Sequence, residues 1–99
     1  MKRITISMLK NINKYFIEKC YDELCIEIYN GFGITYEDTH PFLILQDILK
    51  YVSSIDKYVD VSDSVLEWVC EFVENKQDYD KLSKYGDFYY KIKLILNNN

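Results

Sequence analysis

Residues 60–80 read DVSDSVLEWVCEFVENKQDYD. Within this stretch Val65, Val69, Phe72 and Val73 recur at steps of one, three and four, the spacing of one apolar helix face. Ser64-x-x-Glu67 has the form of a capping box and predicts where the helix opens. On the other side Asp63, Glu67, Glu71, Glu74 and Asp78 keep helical spacing too, so these carboxylates fall within about 80° of one another on the wheel. Asp60 and Asp80 flank them, and Lys76 is the single cation of the stretch.

Like charges at i,i+4 cost a helix a few tenths of a kcal/mol per pair, roughly. A helix kept only for its fold usually intersperses lysines along such a face. A charge run is often no more than solvated surface, and that reading stands beside a functional one. Two observations favour function. The stripe lacks compensating lysines, and Trp68, a residue type enriched at interface hot spots, lies on its flank. Asp22, Glu23 and Glu27 form a second acidic cluster with no cation before Lys50. Packed side by side, the two clusters make one negative surface offered to a basic partner.

The rest of the chain reads as further helices. Leu9, Ile12, Phe16, Cys20, Leu24 and Ile28 step by three and four, which predicts one helix over 7–30 or two joined by a kink. Ser7 is the expected cap, Asp22 a restart point and Asn30-Gly31 the stop. Thr39-His40-Pro41 supplies a capping hydroxyl and a first-turn proline, and Ile44, Ile48, Val52, Ile55 and Val59 carry the next helix to about Tyr58. The last segment has two readings. Asp87 after Gly86 caps a helix bearing Phe88, Ile92, Ile95 and Leu96, while Phe88, Tyr90, Ile92, Leu94 and Leu96 also alternate as a strand does. Ile4, Ile6 and Met8 alternate as well, which admits a two-stranded pairing of the termini. Helix is preferred, because an isolated two-stranded ribbon is weak. The expected fold is mainly α, a small bundle of about four helices, with that short β element of the termini as an addition.

Composition bounds the remaining choices. Ninety-nine residues, 48% hydrophobic and 16% aromatic, make a single folded domain over 1–99. The three cysteines, Cys20, Cys25 and Cys70, have no metal-ligand spacing and read as reduced thiols, which with the lack of a secretory leader or an 18-residue apolar run suggests the cytoplasm. Net charge is −4, unevenly spread: +4 over residues 1–21, −5 over 22–38, −6 over 60–80 and +3 over 81–99. Lys2, Arg3, Lys10, Lys14 and Lys19, with Tyr15 close by, resemble a nucleic-acid patch, but a solvated helix face has the same look.

Nothing in the chain spells out a reaction. His40 is the single histidine and sits beside a proline at a helix start, where capping or surface exposure is usual. Glu67 and Glu71 on an open helix face lack the cleft that tunes a catalytic carboxylate. No phosphate-binding glycine loop and no nucleophile elbow is present. The expectation is a protein that is not an enzyme and uses no cofactor or metal.

The early helix ending near Tyr29-Asn30-Gly31, the middle segment Leu49–Tyr58 and the terminal Tyr85–Leu96 together resemble bacterial toxin-immunity proteins, those of contact-dependent growth-inhibition systems and the colicin D immunity family. The resemblance is one of organisation and spans residues 8–96. It implies a partner, the basic C-terminal nuclease domain of a toxin, often a tRNA-cleaving enzyme, whose groove is covered by carboxylates. The candidate partner-binding residues are Asp63, Glu67, Trp68, Glu71, Glu74 and Asp78, with Asp22, Glu23 and Glu27. The alternatives are a phage or mobile-element inhibitor that mimics DNA, and a small nucleic-acid-binding regulator.

Overall fold

The computed structural model describes residues 1–31, 39–77 and 88–98. In order they form strand β1 (Lys2–Thr5), helices α1 (Ile6–Lys19), α2 (Tyr21–Gly31) and α3 (Pro41–Tyr51), strand β2 (Tyr58–Val61), and helices α4 (Asp63–Lys76) and α5 (Phe88–Asn97). The chain is mainly α, with one small sheet among the described residues.

The apolar series of the first third is two helices joined at Cys20. Cys20 leaves helical geometry at φ −128°, its N–H bonds the Phe16 carbonyl at 3.0 Å, and its own carbonyl accepts from Leu24 at 2.8 Å. The chain thus turns with little loss of hydrogen bonding, and Leu9, Ile12, Phe16, Cys20 and Leu24 all stay buried. Asp22 and Glu23 in the first turn of α2 suit the positive end of that helix.

Strand pairing differs from the pairing of the termini. β1 runs antiparallel to β2, with Lys2 opposite Val61, Arg3 opposite Asp60, Ile4 opposite Val59 and Thr5 opposite Tyr58. Ile4 and Val61 turn into the core while Arg3 and Asp60 face out, 3.7 Å apart. The terminal segment is helix α5, which buries Phe88, Tyr89 and Ile92. Its alternation carried no strand because the three-to-four-residue period of those positions meets α4 along one face.

The caps also move. Thr5, the extended last residue of β1, caps α1 by accepting from the Met8 N–H at 3.0 Å, in place of Ser7. Ser62, not Ser64, caps α4 by accepting from Val65. α3 is capped by the imidazole of His40, whose Nδ1 accepts from the Phe42 N–H at 3.1 Å, rather than by the Thr39 hydroxyl. α3 stops at Tyr51, short of Tyr58. Val52 is extended, and the Ser53–Asp56 turn is held by the Ser53 N–H donating to Asp56 Oδ2 at 2.8 Å. Short polar side chains of this kind compete with helix hydrogen bonds. The Asp87 cap lies outside the described residues.

Helix α1 is the centre of the molecule, packed against α2, α3, α5 and β1. Its Tyr15 and Phe16 are wholly buried. Phe16 meets Phe42, Trp68 and Phe72, and Tyr15 meets Phe88. Tyr15 is therefore a core residue and not part of a basic patch, although Lys10, Lys14 and Lys19 are exposed. Among the described residues no helix is long and apolar enough to cross a membrane.

Candidate functional site

Trp68 organises the site. Its ring stacks on Phe16 with centroids 5.0 Å apart and planes 21° from parallel, and it meets the rings of Phe72 and His40 at steeper angles. Its indole Nε1–H donates to Glu27 Oε1 at 3.2 Å, which joins α4 to α2. Lys76, the last residue of α4 and two positions beyond Glu74, bonds Glu23 on α2. These two bridges bring the acidic clusters together, as side-by-side packing requires. Between them lies an open groove of about 430 Å³. Glu23 and Glu27 form one side of it, Glu71, Asn75 and Lys76 the other, with Trp68 and Phe72 as the aromatic part of its lining.

The carboxylates of the stripe divide by what they touch. Glu67 and Glu71 are exposed and make no hydrogen bond or ion pair among the described residues. Asp63 opens α4, with Oδ1 at 3.6 Å from the Met1 amino group. Asp22 is exposed at the start of α2. Glu74 belongs to the helix–helix contact: Tyr89 Oη–H donates to it at 2.6 Å and Lys93 Nζ lies at 3.0 Å. The Tyr89 hydrogen bond and then that of Lys93 hold the Glu74 carboxyl below the usual carboxylate range, and Glu74 in turn raises Lys93. Asp78 lies outside the described residues.

His40 caps α3, one of the two places the sequence suggests for it, but it is buried and not at the surface. Its side chain is only 7% exposed, and Nε2 faces Glu27 Oε1 at 3.4 Å without making a hydrogen bond. Since Nδ1 accepts the Phe42 N–H, the neutral ring carries its proton on Nε2, toward Glu27. His40 therefore links the start of α3 to the α2–α4 bridge. Its place beside Pro41 was the visible signal for a cap, but nothing local pointed to Glu27 or Trp68. Lys76, the single cation of the acidic stretch, clamps α4 to α2 across the groove through Glu23.

The thiols are separate from this arrangement. Cys20 and Cys70 are buried and Cys25 is exposed. Burial pushes the Cys70 thiol up to about 11, with Glu74, Glu67 and Glu71 adding to the rise and Lys93 opposing it. Among the described residues no three of His, Cys, Asp and Glu are grouped to hold a metal ion. Comparison with protein-family models, with curated proteins and with solved structures finds no match.

Proposed function

We propose that this chain is an immunity protein, a stoichiometric inhibitor that binds the basic nuclease domain of a bacterial toxin, most simply a tRNA-cleaving one, and covers its phosphate-binding groove. The observation that carries the reading is the meeting of two acidic clusters around an aromatic-lined groove, with Glu71 uncompensated in its wall and Glu67 uncompensated one turn away. A nuclease groove shaped for phosphates presents lysines and arginines at short spacing. A row of carboxylates on one helix competes for them, steers the encounter and weakens with salt. Glu67 and Glu71 pair with groove cations in this account, Asp22 and Asp63 extend the negative field, and Trp68 anchors the apolar centre. The chain acts by occupancy and catalyses nothing.

The test is capture from an extract of the organism that carries the gene, with this chain as bait, at low and high salt. One-to-one recovery of a large protein's basic C-terminal domain, lost at high salt and lost with E67K/E71K, supports the reading. Recovery of nucleic acid, or capture unchanged by E67K/E71K, overturns it.

A further inference from the structure

We propose that the groove between α2 and α4 seats one arginine side chain of the basic partner, with Glu27 as its positioned acceptor and Glu71 as its second carboxylate. The proposal rests on the reading of the acidic face as a partner surface and names the group that face takes.

Charge complementarity selects a cation. Three carboxylates, Glu23, Glu27 and Glu71, line the groove against one ammonium, and that ammonium, Lys76, is bound to Glu23. The groove thus already holds a cation of its own chain at its Glu23 end. Among the described residues Glu71 has no cation of its own chain, and Glu27 faces only the His40 imidazole and the indole N–H, both at Oε1.

A second observation concerns Glu27 itself. Trp68 Nε1–H bonds its Oε1, and the buried Nε2 of His40 is aimed at the same oxygen with no hydrogen bond made. A buried donor without a bond carries a desolvation cost. With both donors facing Oε1, Oε2 is the oxygen of Glu27 left for a cation. Glu27 is held in place before any partner arrives, so little conformational freedom remains to be lost on binding. Glu71, exposed and unpaired, supplies the adaptable half of the clamp.

The aromatic lining separates arginine from lysine. Trp68 and Phe72 present ring surface to the groove. A guanidinium is planar and weakly hydrated, lies well against an indole, and offers a fork that two carboxylates can share. A lysine ammonium is a compact, strongly hydrated charge and gains less from the same walls.

The experiment uses the full chain and two defined probes, hexa-arginine amide and hexa-lysine amide, titrated into labelled protein at physiological salt. The chain has one tryptophan, so the indole N–H resonance reports Trp68 alone. Hexa-arginine is expected to move that resonance saturably, at about tenfold lower concentration than hexa-lysine. E27Q and E71Q each weaken this several-fold, while D47N, the same charge change outside the groove, does not. Equal affinity for the two peptides, an unmoved indole signal, or an equal loss with D47N overturns the seat. E71Q removes no hydrogen bond or ion pair within the described residues, so its effect on binding is read apart from the fold. Peptide seating without capture of any toxin domain removes the immunity reading and keeps the seat. Capture that depends on Glu67 and Glu71 with a silent indole does the reverse.

Discussion

Trp68 and Glu27, separated by 41 positions in the chain, meet through a 3.2 Å hydrogen bond that joins α4 to α2. The indole spends one face on Phe16 and its single polar atom on a carboxylate at the groove wall. The same side chain therefore serves the core and the surface. A bulky anchor fixed in this way keeps its shape at low entropic cost, which is what an interface centre requires.

The bridge is expected to contribute measurably to stability. W68F keeps an aromatic ring against Phe16 but deletes a hydrogen bond to a charged acceptor and part of the buried area, so the loss should be about 1–3 kcal/mol. E27Q keeps an acceptor for the indole N–H and should cost less than about 1 kcal/mol. Urea unfolding followed by far-UV circular dichroism measures both. An E27Q loss larger than that of W68F would mean that the carboxylate charge, not the indole, carries the bridge.

His40 is expected to behave as a helix cap. H40A removes the acceptor of the Phe42 N–H and leaves a hole beside Trp68, for a loss of about 1–3 kcal/mol. H40N restores a strong capping oxygen and should recover about 1 kcal/mol of it. Equal stability of H40A and H40N would place the effect in packing against Trp68 instead of in the cap.

These two residues also mark how far the chain could be read. The apolar faces of α1, α2 and α4 were legible, because burial on one side imposes a helical period that Leu9, Phe16, Leu24, Val65 and Val69 all obey. Caps were misplaced by one or two residues, since Thr5 or Ser7, and Ser62 or Ser64, are chemically equivalent until the sheet shows where each strand releases the chain. The middle helix was read too long because Val52 and Val59 extend its apolar period by accident, Val59 being half-buried in β2 opposite Ile4. At the site, the carboxylates were visible as charge. Their partners were not: Lys76 reaches Glu23, Tyr89 reaches Glu74, and His40 faces Glu27, all through the tertiary fold.

Glu74 gives a pH dependence with a definite sign. Its folded-state pKa is depressed, chiefly by the Tyr89 hydrogen bond and then by Lys93, so the unfolded chain takes up a proton on it at a higher pH than the folded chain does. The stabilisation is complete above the ordinary carboxylate range and is lost as pH falls through that range to the lower folded value. Urea midpoints of the wild type and E74Q should converge as pH falls from neutral through the carboxylate range. Parallel curves would show that Glu74 contributes nothing that depends on its charge.

The thiols should react in order of burial. At pH 8 the exposed Cys25 is expected to react promptly with a disulfide reagent, while Cys20 and Cys70 wait for unfolding. Cys70 is protected twice, by burial and by a thiol pKa near 11 that leaves little thiolate. C25S should abolish the fast phase. A fast phase that survives C25S would mean that the α1–α2 junction at Cys20 opens readily.

Glu67 tests whether the acidic stripe exists for stability or for a partner. It sits between Asp63 and Glu71 at i−4 and i+4, and it has no partner of its own among the described residues. E67K replaces two like-charge neighbours by two opposite-charge ones on an exposed face, so the helix should gain a few tenths of a kcal/mol per pair, about 0.5 kcal/mol together. A structural carboxylate would respond in the other direction, as E74Q is expected to do through Tyr89 and Lys93. The proposed function requires E67K to raise the urea midpoint while weakening partner capture, most steeply at low salt. A residue retained at a cost to folding and needed for binding has its reason at the interface. A lower midpoint with E67K would return the stripe to the fold, and Glu67 would no longer belong with the partner-binding residues.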